Sequence, residues 1–368
     1  MSYTVNLPHY SVGEDCYQEV PRVCGRFGKM AVVVGGKNAM AKGRPYLDKA
    51  LAGSELQVLS YVWYGGDSSY ENVDMVLANP DVQKADMVFG MGGGRACDTA
   101  KMVADKLHKP LFTFPTLASN CAAVTAISVV YNADGTFREY YYPQPAEHMF
   151  LNTAVVADSP YDYLWAGIGD ALSKEYEAVF SSKDRDHLSH SPLVGVQVSH
   201  ACTDPLLDYG KQALEDLKAH KATDALAEVA LDIVVSTGVV SLLVSKAGDY
   251  YFNSTLAHCV YYGATVTEKG EKHLHGEVVS LGVLCLLEYW KQYDELDRCM
   301  RFNASVGLPV CFDDVEIDEK EFPKMADKFT KTVEWANVPK DVTLEGFLKA
   351  MHDLNEKGRA FKRSEQVA

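Results

Sequence analysis

Three consecutive glycines, Gly92-Gly93-Gly94, sit between the apolar run Asp86–Gly90 and the helix-like segment RACDTAKMVADKL. A junction of this kind constrains a chain more than any other feature here. With no Cβ in the way, backbone N–H groups can approach a phosphate closely, and the helix that follows adds its partial positive charge. The pattern is not G-x-G-x-x-G, because Arg95 occupies the place of the last glycine, and no Gly-Lys-Ser/Thr of a Walker A loop occurs. Taken alone, the turn also fits a strand-to-helix junction with no ligand. Asp98, in the first helical turn, then only complements the helix dipole.

The surroundings repeat the same arrangement. Met30–Val34 ends in Gly35-Gly36, Leu56–Val62 ends near Gly65-Gly66, and Leu111–Phe114 is stopped by Pro115. Strand-like runs separated by helical patterns predict βαβ units and a parallel sheet. Ile127–Tyr131 and Phe137–Tyr142, joined by NADG, read as an antiparallel hairpin, and Phe150–Val156 closes this half. The loop Phe114-Pro-Thr116-Leu-Ala-Ser119 leaves a strand end with small hydroxyl side chains suited to pyrophosphate or ribose oxygens.

Beyond about Ser159 the apolar residues recur at helical spacing: Leu164–Phe180, Asp208–His220, Thr223–Lys246, Ser254–Val266, Glu277–Tyr293 and Asp341–Asn355. At roughly 150 residues per domain, a chain of 368 residues accommodates two domains. The expected division is an α/β dinucleotide-binding domain over 1–160 and an all-helical metal-binding and substrate domain over 161–368, with a ligand cleft between them. Leu226–Ser245, the most apolar stretch, carries Glu228 and Asp232 and reads as a buried helix.

Charge and cysteine usage narrow the function. The formal net charge of −15 disfavours nucleic acid and anionic membrane surfaces as partners. Nine cysteines, an odd number with no Cys-x-x-Cys pair, argue against a disulfide framework or a cysteine zinc site. Nothing in the first twenty residues resembles a signal peptide, so a cytoplasmic protein with a small-molecule substrate is expected.

In the helical half, Asp170, His258 and His275 form a candidate ligand set. One carboxylate and two imidazoles suit Zn²⁺ or Fe²⁺ and leave an open position, although their separation in sequence does not show that they meet. His187, His190 and His200 fall in a loop-like, solvated stretch, and His273 is a bystander two residues from His275. Tyr140–Tyr142 reads as hairpin packing, and Asp313–Glu321 as a solvated acidic helix start.

The ordered series GGGxxxDTAK, FPTLAS, SVVYNADG, AGIGDALSKEYEA, AHCVYYG and LHGEVVSLGVL, from about Ala31 to Leu287, resembles the metal-dependent (iron-containing) alcohol dehydrogenase superfamily, in its glycerol dehydrogenase-like branch. The resemblance implies a dinucleotide-binding α/β domain followed by a helical domain, and a homo-oligomer. It implies NAD or NADP held at Gly93, Gly94, Arg95 and Asp98, with further contacts from Thr116, Ser119, Thr125, Ile127 and Tyr131. It assigns one divalent metal to Asp170, His258 and His275.

Three departures from that pattern matter. Lys174 stands where iron-dependent members carry a further histidine, which leaves three protein ligands and favours zinc over iron. Cys121 replaces an aspartate that helps hold a polyol. Gly36-Lys37 follow the first strand where an acidic residue favouring NAD is common. These features are similar to the hydroxycarboxylate dehydrogenases, which reduce 2-oxo acids. On that reading Lys174, one helical turn from Asp170, receives the substrate carboxylate. The competing arrangement pairs Lys174 with Glu175 or Glu177. The alternative functions are an NAD-dependent glycerol or polyol dehydrogenase, a lyase like dehydroquinate synthase, and a non-catalytic cofactor-binding protein.

Overall fold

In the computed structural model, which describes residues 4–246 and 248–365, the first half is built on a six-stranded sheet. Its strands are β1 (Tyr10–Val12), β2 (Met30–Gly35), β3 (Gln57–Trp63), β4 (Met87–Gly92) and β5 (Leu111–Pro115), with β6 (Ser128–Tyr131), β7 (Phe137–Tyr141) and β8 (His148–Leu151) following. The sheet order is β1-β8-β5-β4-β2-β3 with every pairing parallel, while β6 and β7 form a separate antiparallel hairpin. Strands β2, β4 and β5 lie inside the sheet and are buried along almost their whole length, which is why they read as unbroken apolar runs. Successive residues still divide between two cores. Val33, Phe89 and Phe112 face one side, and Val32, Val34 and Val88 face the other.

The register brings the functional turns level with one another. Gly35 lies opposite both Trp63 and Met91, and Gly92 lies opposite Pro115. The carboxyl ends of β2 to β5 therefore form one edge, from which the glycine turn and the Pro115 loop emerge.

Contacts divide the chain into two compact units, Met1–Leu164 with Gln212–Leu242, and Trp165–Lys211 with Leu243–Ala368. The segment Gln212–Leu242, helical as expected, therefore packs with the sheet. A side chain at Gly238 would meet Val124 and Cys121 of the loop after β5. Residues Asp224–Val244 are long and apolar enough to cross a membrane by composition, and two thirds of that window, 67%, is buried within the protein.

The second unit surrounds the helix His275–Trp290, in which Gly276 and every residue from Val278 to Glu288 are buried. A helix apolar on all sides has to be a central one.

Several elements differ from the sequence reading. The run Phe150–Val156 is strand only to Leu151, after which Asn152 caps the helix Thr153–Ala157. The edge strand β1 had no apolar signal of its own and exists by pairing with β8. Leu164–Phe180 is two helices, Tyr161–Ala171 and Ser173–Ser182, interrupted at Leu172. The stretch read as a solvated loop contains the helix His190–Ser199, which Gly195 lets lie against Leu243 and Val244. Of the acidic stretch Asp313–Glu321, residues 318–321 do lead into a helix, Phe322–Phe329, but Asp313 and Asp314 belong elsewhere. They sit in a short 3₁₀ turn, paired with Arg359 and Lys362. All nine cysteines are free thiols.

Asn152 ties the end of β8 to its surroundings. Fully buried, it accepts from the Val155 N–H at 3.1 Å and donates to the Glu14 carbonyl at 2.8 Å. Replacing it with Ala removes a helix cap and the bond to the Glu14 carbonyl, an expected loss of ~1–2 kcal/mol. Urea unfolding should show the shift, with Asn152→Asp, which keeps the cap, losing less.

Candidate functional site

The glycine turn comes first. Gly92 has φ +151°, Gly93 is the N-cap residue, and Gly94 opens the helix Gly94–Leu107. A Cβ at Gly93 would approach Leu117 at 3.3 Å, and one at Gly94 would reach the Asn120 amide at 2.9 Å. The turn is thus closed to side chains and presents backbone, as an anion-binding helix start requires. Thr116 is buried beside it, its N–H donating to the Gly92 carbonyl at 3.3 Å, and Ser119 accepts from the Asn120 amide at 3.4 Å.

Asp98 has a different occupation from dipole complementation. Its carboxylate lies 2.8 Å from the Lys101 ammonium and accepts from the Val129 N–H at 3.2 Å. Lys101 in turn donates to the carbonyls of Thr125 and Ile127. Burial pushes the Asp98 carboxyl up, and Lys101 pulls against that rise. The pair staples the loop 125–129 to the helix, so Asp98, Thr125 and Ile127 are joined through a lysine that the sequence reading passed over. Its signal was the i, i+3 spacing in DTAK. Arg95 stacks over the ring of Tyr131, 5.0 Å from its centroid, and stands 3.5 Å from Asp67.

At the neighbouring strand end, Gly36 donates to the Met91 carbonyl at 3.3 Å and caps the helix Lys37–Leu51. Lys37 lies over Trp63, its ammonium 4.4 Å from the ring centroid. Cys121, half-buried, lies in the loop against Gly238.

In the second unit, Asp170, His258 and His275 come from three helices and converge. Asp170 is near the end of Tyr161–Ala171, His258 near the start of Leu256–Ala264, and His275 opens its own helix. Asp170 Oδ1 is 3.1 Å from His275 Nε2 and 3.6 Å from His258 Nε2, and all three donor atoms lie within 4.8 Å of one another. Ligands ~2.1 Å from a tetrahedral ion stand ~3.4 Å apart, so a carboxylate and two imidazoles in this arrangement fit Zn²⁺ or a similar divalent ion. The His275 side chain is 42% exposed and that of His258 14%, which leaves the cluster open on one side.

Close backbone approach brings them together. A Cβ on Gly276 would sit 1.7 Å from the Ala166 carbonyl oxygen, and one on Gly169 would sit 2.4 Å from the Gly276 carbonyl oxygen. Further along the central helix, a Cβ on Gly282 would sit 2.2 Å from the carbonyl oxygen of Ala257, the residue before His258.

The electrostatics follow the geometry. Burial alone would raise Asp170, but His275, His258 and Lys174 together hold its carboxyl down at about 2. Burial would lower His258, but Glu177 and then Asp170 raise it to about 9. Glu177 is fully buried; burial pushes its carboxyl up, and His258 and two backbone N–H groups bring it below its usual range. The sequence reading considered Glu177 only as a partner for Lys174. Instead it accepts from His258 Nδ1 at 2.7 Å, and Glu175 is bonded to His200. Lys174 donates to Asn253, to the side-chain oxygen at 2.9 Å and to the carbonyl at 3.3 Å. His273 is held away by Glu277 at 2.9 Å, and Glu277 also caps the central helix through the Leu274 N–H.

The sequence model of the iron-containing alcohol dehydrogenases matches residues 8–156. A glycerol dehydrogenase of Thermotoga maritima is 32% identical over 309 residues, covering 81% of this chain and 82% of that protein. Hydroxycarboxylate dehydrogenase A of Escherichia coli is 32% identical over 289 residues, 78% of each. Among solved structures, the fold matches a glycerol dehydrogenase of Schizosaccharomyces pombe with TM-score 0.84 at 21% identity, covering 100% of this chain and 94% of that one. It also matches a probable glycerol dehydrogenase of Sinorhizobium meliloti with TM-score 0.81 at 24% identity, covering 98% and 100%.

Because the Gly276 backbone lies against Ala166, Gly276→Ala should push the Asp170 helix off the central helix. Overpacking of this kind costs ~1–3 kcal/mol. Thermal unfolding should show that loss, and a Zn²⁺ titration should show weakened binding although Asp170, His258 and His275 are all unchanged.

Proposed function

The chain belongs to the iron-containing alcohol dehydrogenase family, and from that premise we propose that its substrates are small 2-oxo acids, reduced to 2-hydroxy acids. It is a metal-dependent, NAD-linked dehydrogenase acting on CH–OH groups and their carbonyl counterparts. The observation that carries the finer reading is the ammonium of Lys174, buried within reach of Asp170's field and fixed in place by Asn253. A fixed positive charge beside a cation-binding cluster is best accommodated when the ligand brings an anion, and a carboxylate next to the reacting carbonyl does so.

We assign the metal to Asp170, His258 and His275, and zinc rather than iron to the site, because Lys174 stands where a further imidazole would be needed. A divalent ion held there supplies Lewis acidity toward the substrate carbonyl, and the nicotinamide supplies the hydride. The chain's own residues do the rest. Lys174 orients the carboxylate, Asp170 and the two imidazoles fix the acidic centre, and the Gly92–Gly94 turn anchors the cofactor's pyrophosphate. Cys121 introduces no negative charge where a polyol-binding aspartate would have opposed an anionic substrate.

The second reading, a glycerol or polyol dehydrogenase, is favoured by the Thermotoga relative, which is as similar as the hydroxycarboxylate dehydrogenase. Lys174→Met separates the two. A charge-assisted contact contributes ~1.5–3 kcal/mol, so kcat/KM on a 2-oxo acid should fall about 10- to 100-fold more than on an uncharged aldehyde. Equal losses, or a wild type that prefers glycerol, return the protein to the polyol branch. On the same samples, metal content should be lost in His275→Ala and kept in His273→Ala.

For the cofactor, Lys37 above Trp63 stands where a 2′-phosphate would be received, and no carboxylate follows β2 to repel it. NADPH should be accepted at least as well as NADH, with Lys37→Asp shifting the ratio toward NADH. An NADH preference on the order of 100-fold in the wild type, or no shift in the variant, defeats this.

A further inference from the structure

We infer that Glu177 is the positioning residue of the metal site: one buried carboxylate both starts the His258 helix and turns the His258 ring so that Nε2 faces the ion. This rests on the assignment of the metal to Asp170, His258 and His275.

The two oxygens of Glu177 divide the work. Oε1 accepts from the backbone N–H of Thr255 at 2.7 Å and of His258 at 3.1 Å, satisfying donors at the start of the helix Leu256–Ala264. Oε2 accepts from His258 Nδ1 at 2.7 Å. With Nδ1 carrying the proton, only Nε2 has a lone pair for a metal, and Nε2 is the atom 3.6 Å from Asp170 Oδ1. A carboxylate bonded to the far nitrogen also makes the imidazole a stronger donor to a cation. Glu177 and Asp170 together bring two negative charges, enough to balance a divalent ion with two neutral imidazoles.

Glu177 belongs to a row of contacts along one face of the helix Ser173–Ser182. Lys174, Glu177 and Ser181, spaced i, i+3 and i+7, face the segment that leads into His258, and the first two hold it. Lys174 binds Asn253, Glu177 takes Thr255 and His258, and Ser181 Oγ, which donates to the Glu177 carbonyl at 2.6 Å, lies 3.3 Å from the Phe252 carbonyl oxygen. The face therefore sets where the helix begins and how its one ligand points.

The test separates orientation from simple capping. Metal-free wild type and Glu177→Gln are titrated with Zn²⁺ against a chromophoric chelator, with thermal unfolding of both followed in parallel. Gln keeps a carbonyl oxygen for the two backbone donors but offers an amide, not a second acceptor, to Nδ1–H. The expected result is Zn²⁺ affinity lower by ~10- to 100-fold with the unfolding midpoint of the metal-free protein close to wild type. Wild-type affinity in a folded Glu177→Gln protein overturns the inference. Should that variant not fold, ¹⁵N-histidine-labelled wild type loaded with Zn²⁺ decides. His258 coordinated through Nε2 with Nδ1 protonated supports the inference, and coordination through Nδ1 overturns it. A wild type that takes up no Zn²⁺ refutes the metal assignment itself, an outcome distinct from equal affinities in the two proteins.

Discussion

The Asp170–His258–His275 cluster depends on glycine at two places along one buried helix. Gly276 and Gly282 leave the His275–Trp290 helix without side chains where the backbone at Ala166 and at Ala257 crosses it. Those crossings lie next to the cluster, since Ala166 is one helical turn before Asp170 and Ala257 immediately precedes His258. Any side chain at either glycine would have to displace backbone, which cannot rotate away as a flexible side chain can. The reach of Asp170 to His275 at 3.1 Å and to His258 at 3.6 Å is thus fixed by how closely the helices approach.

Each unit has a buried carboxylate matched by a neighbouring cation or imidazole. In the first, Asp98 and Lys101 are both buried and neutralise one another, and the ammonium's remaining capacity goes to the carbonyls of the 125–129 loop. In the second, Glu177 is matched by His258 and by two backbone N–H groups. Removing Asp98 would leave the Lys101 charge uncompensated in a low-dielectric interior, which costs several kcal/mol, whereas His258 can give up its proton if Glu177 loses its charge. Asp98, Lys101 and Glu177 are all buried away from solvent. They brace the loop and the helix start that carry residues assigned to cofactor and metal.

Lys174 is held by the structure while its charge acts on a neighbour. Its bonds to Asn253 make it part of the row that holds the 252–258 segment, and its charge still lowers Asp170. A lysine free to swing would present its charge only part of the time. One anchored through an amide presents it in a fixed place, as the proposed recognition of a substrate carboxylate requires.

Much was legible in the sequence. The apolar runs at Met30, Asp86 and Leu111 gave β2, β4 and β5, because strands buried on both faces have no polar residues to interrupt them. The glycine triplet marked the turn after β4. The series of motifs picked out Asp170, His258 and His275, which the fold brings together. What the sequence could not carry was anything set by a partner distant in the chain. Strand β1 forms only by pairing with β8, the His190–Ser199 helix has no clear apolar face of its own, and the Gln212–Leu242 segment packs with the sheet although it follows the helical texture. Glu177 looked like a counter-ion for its neighbour Lys174 until the fold delivered His258 from 81 residues away. Local propensity and periodicity act over a few residues and are written in the chain. Which buried carboxylate meets which imidazole depends on helix crossings, and only the tertiary structure decides those.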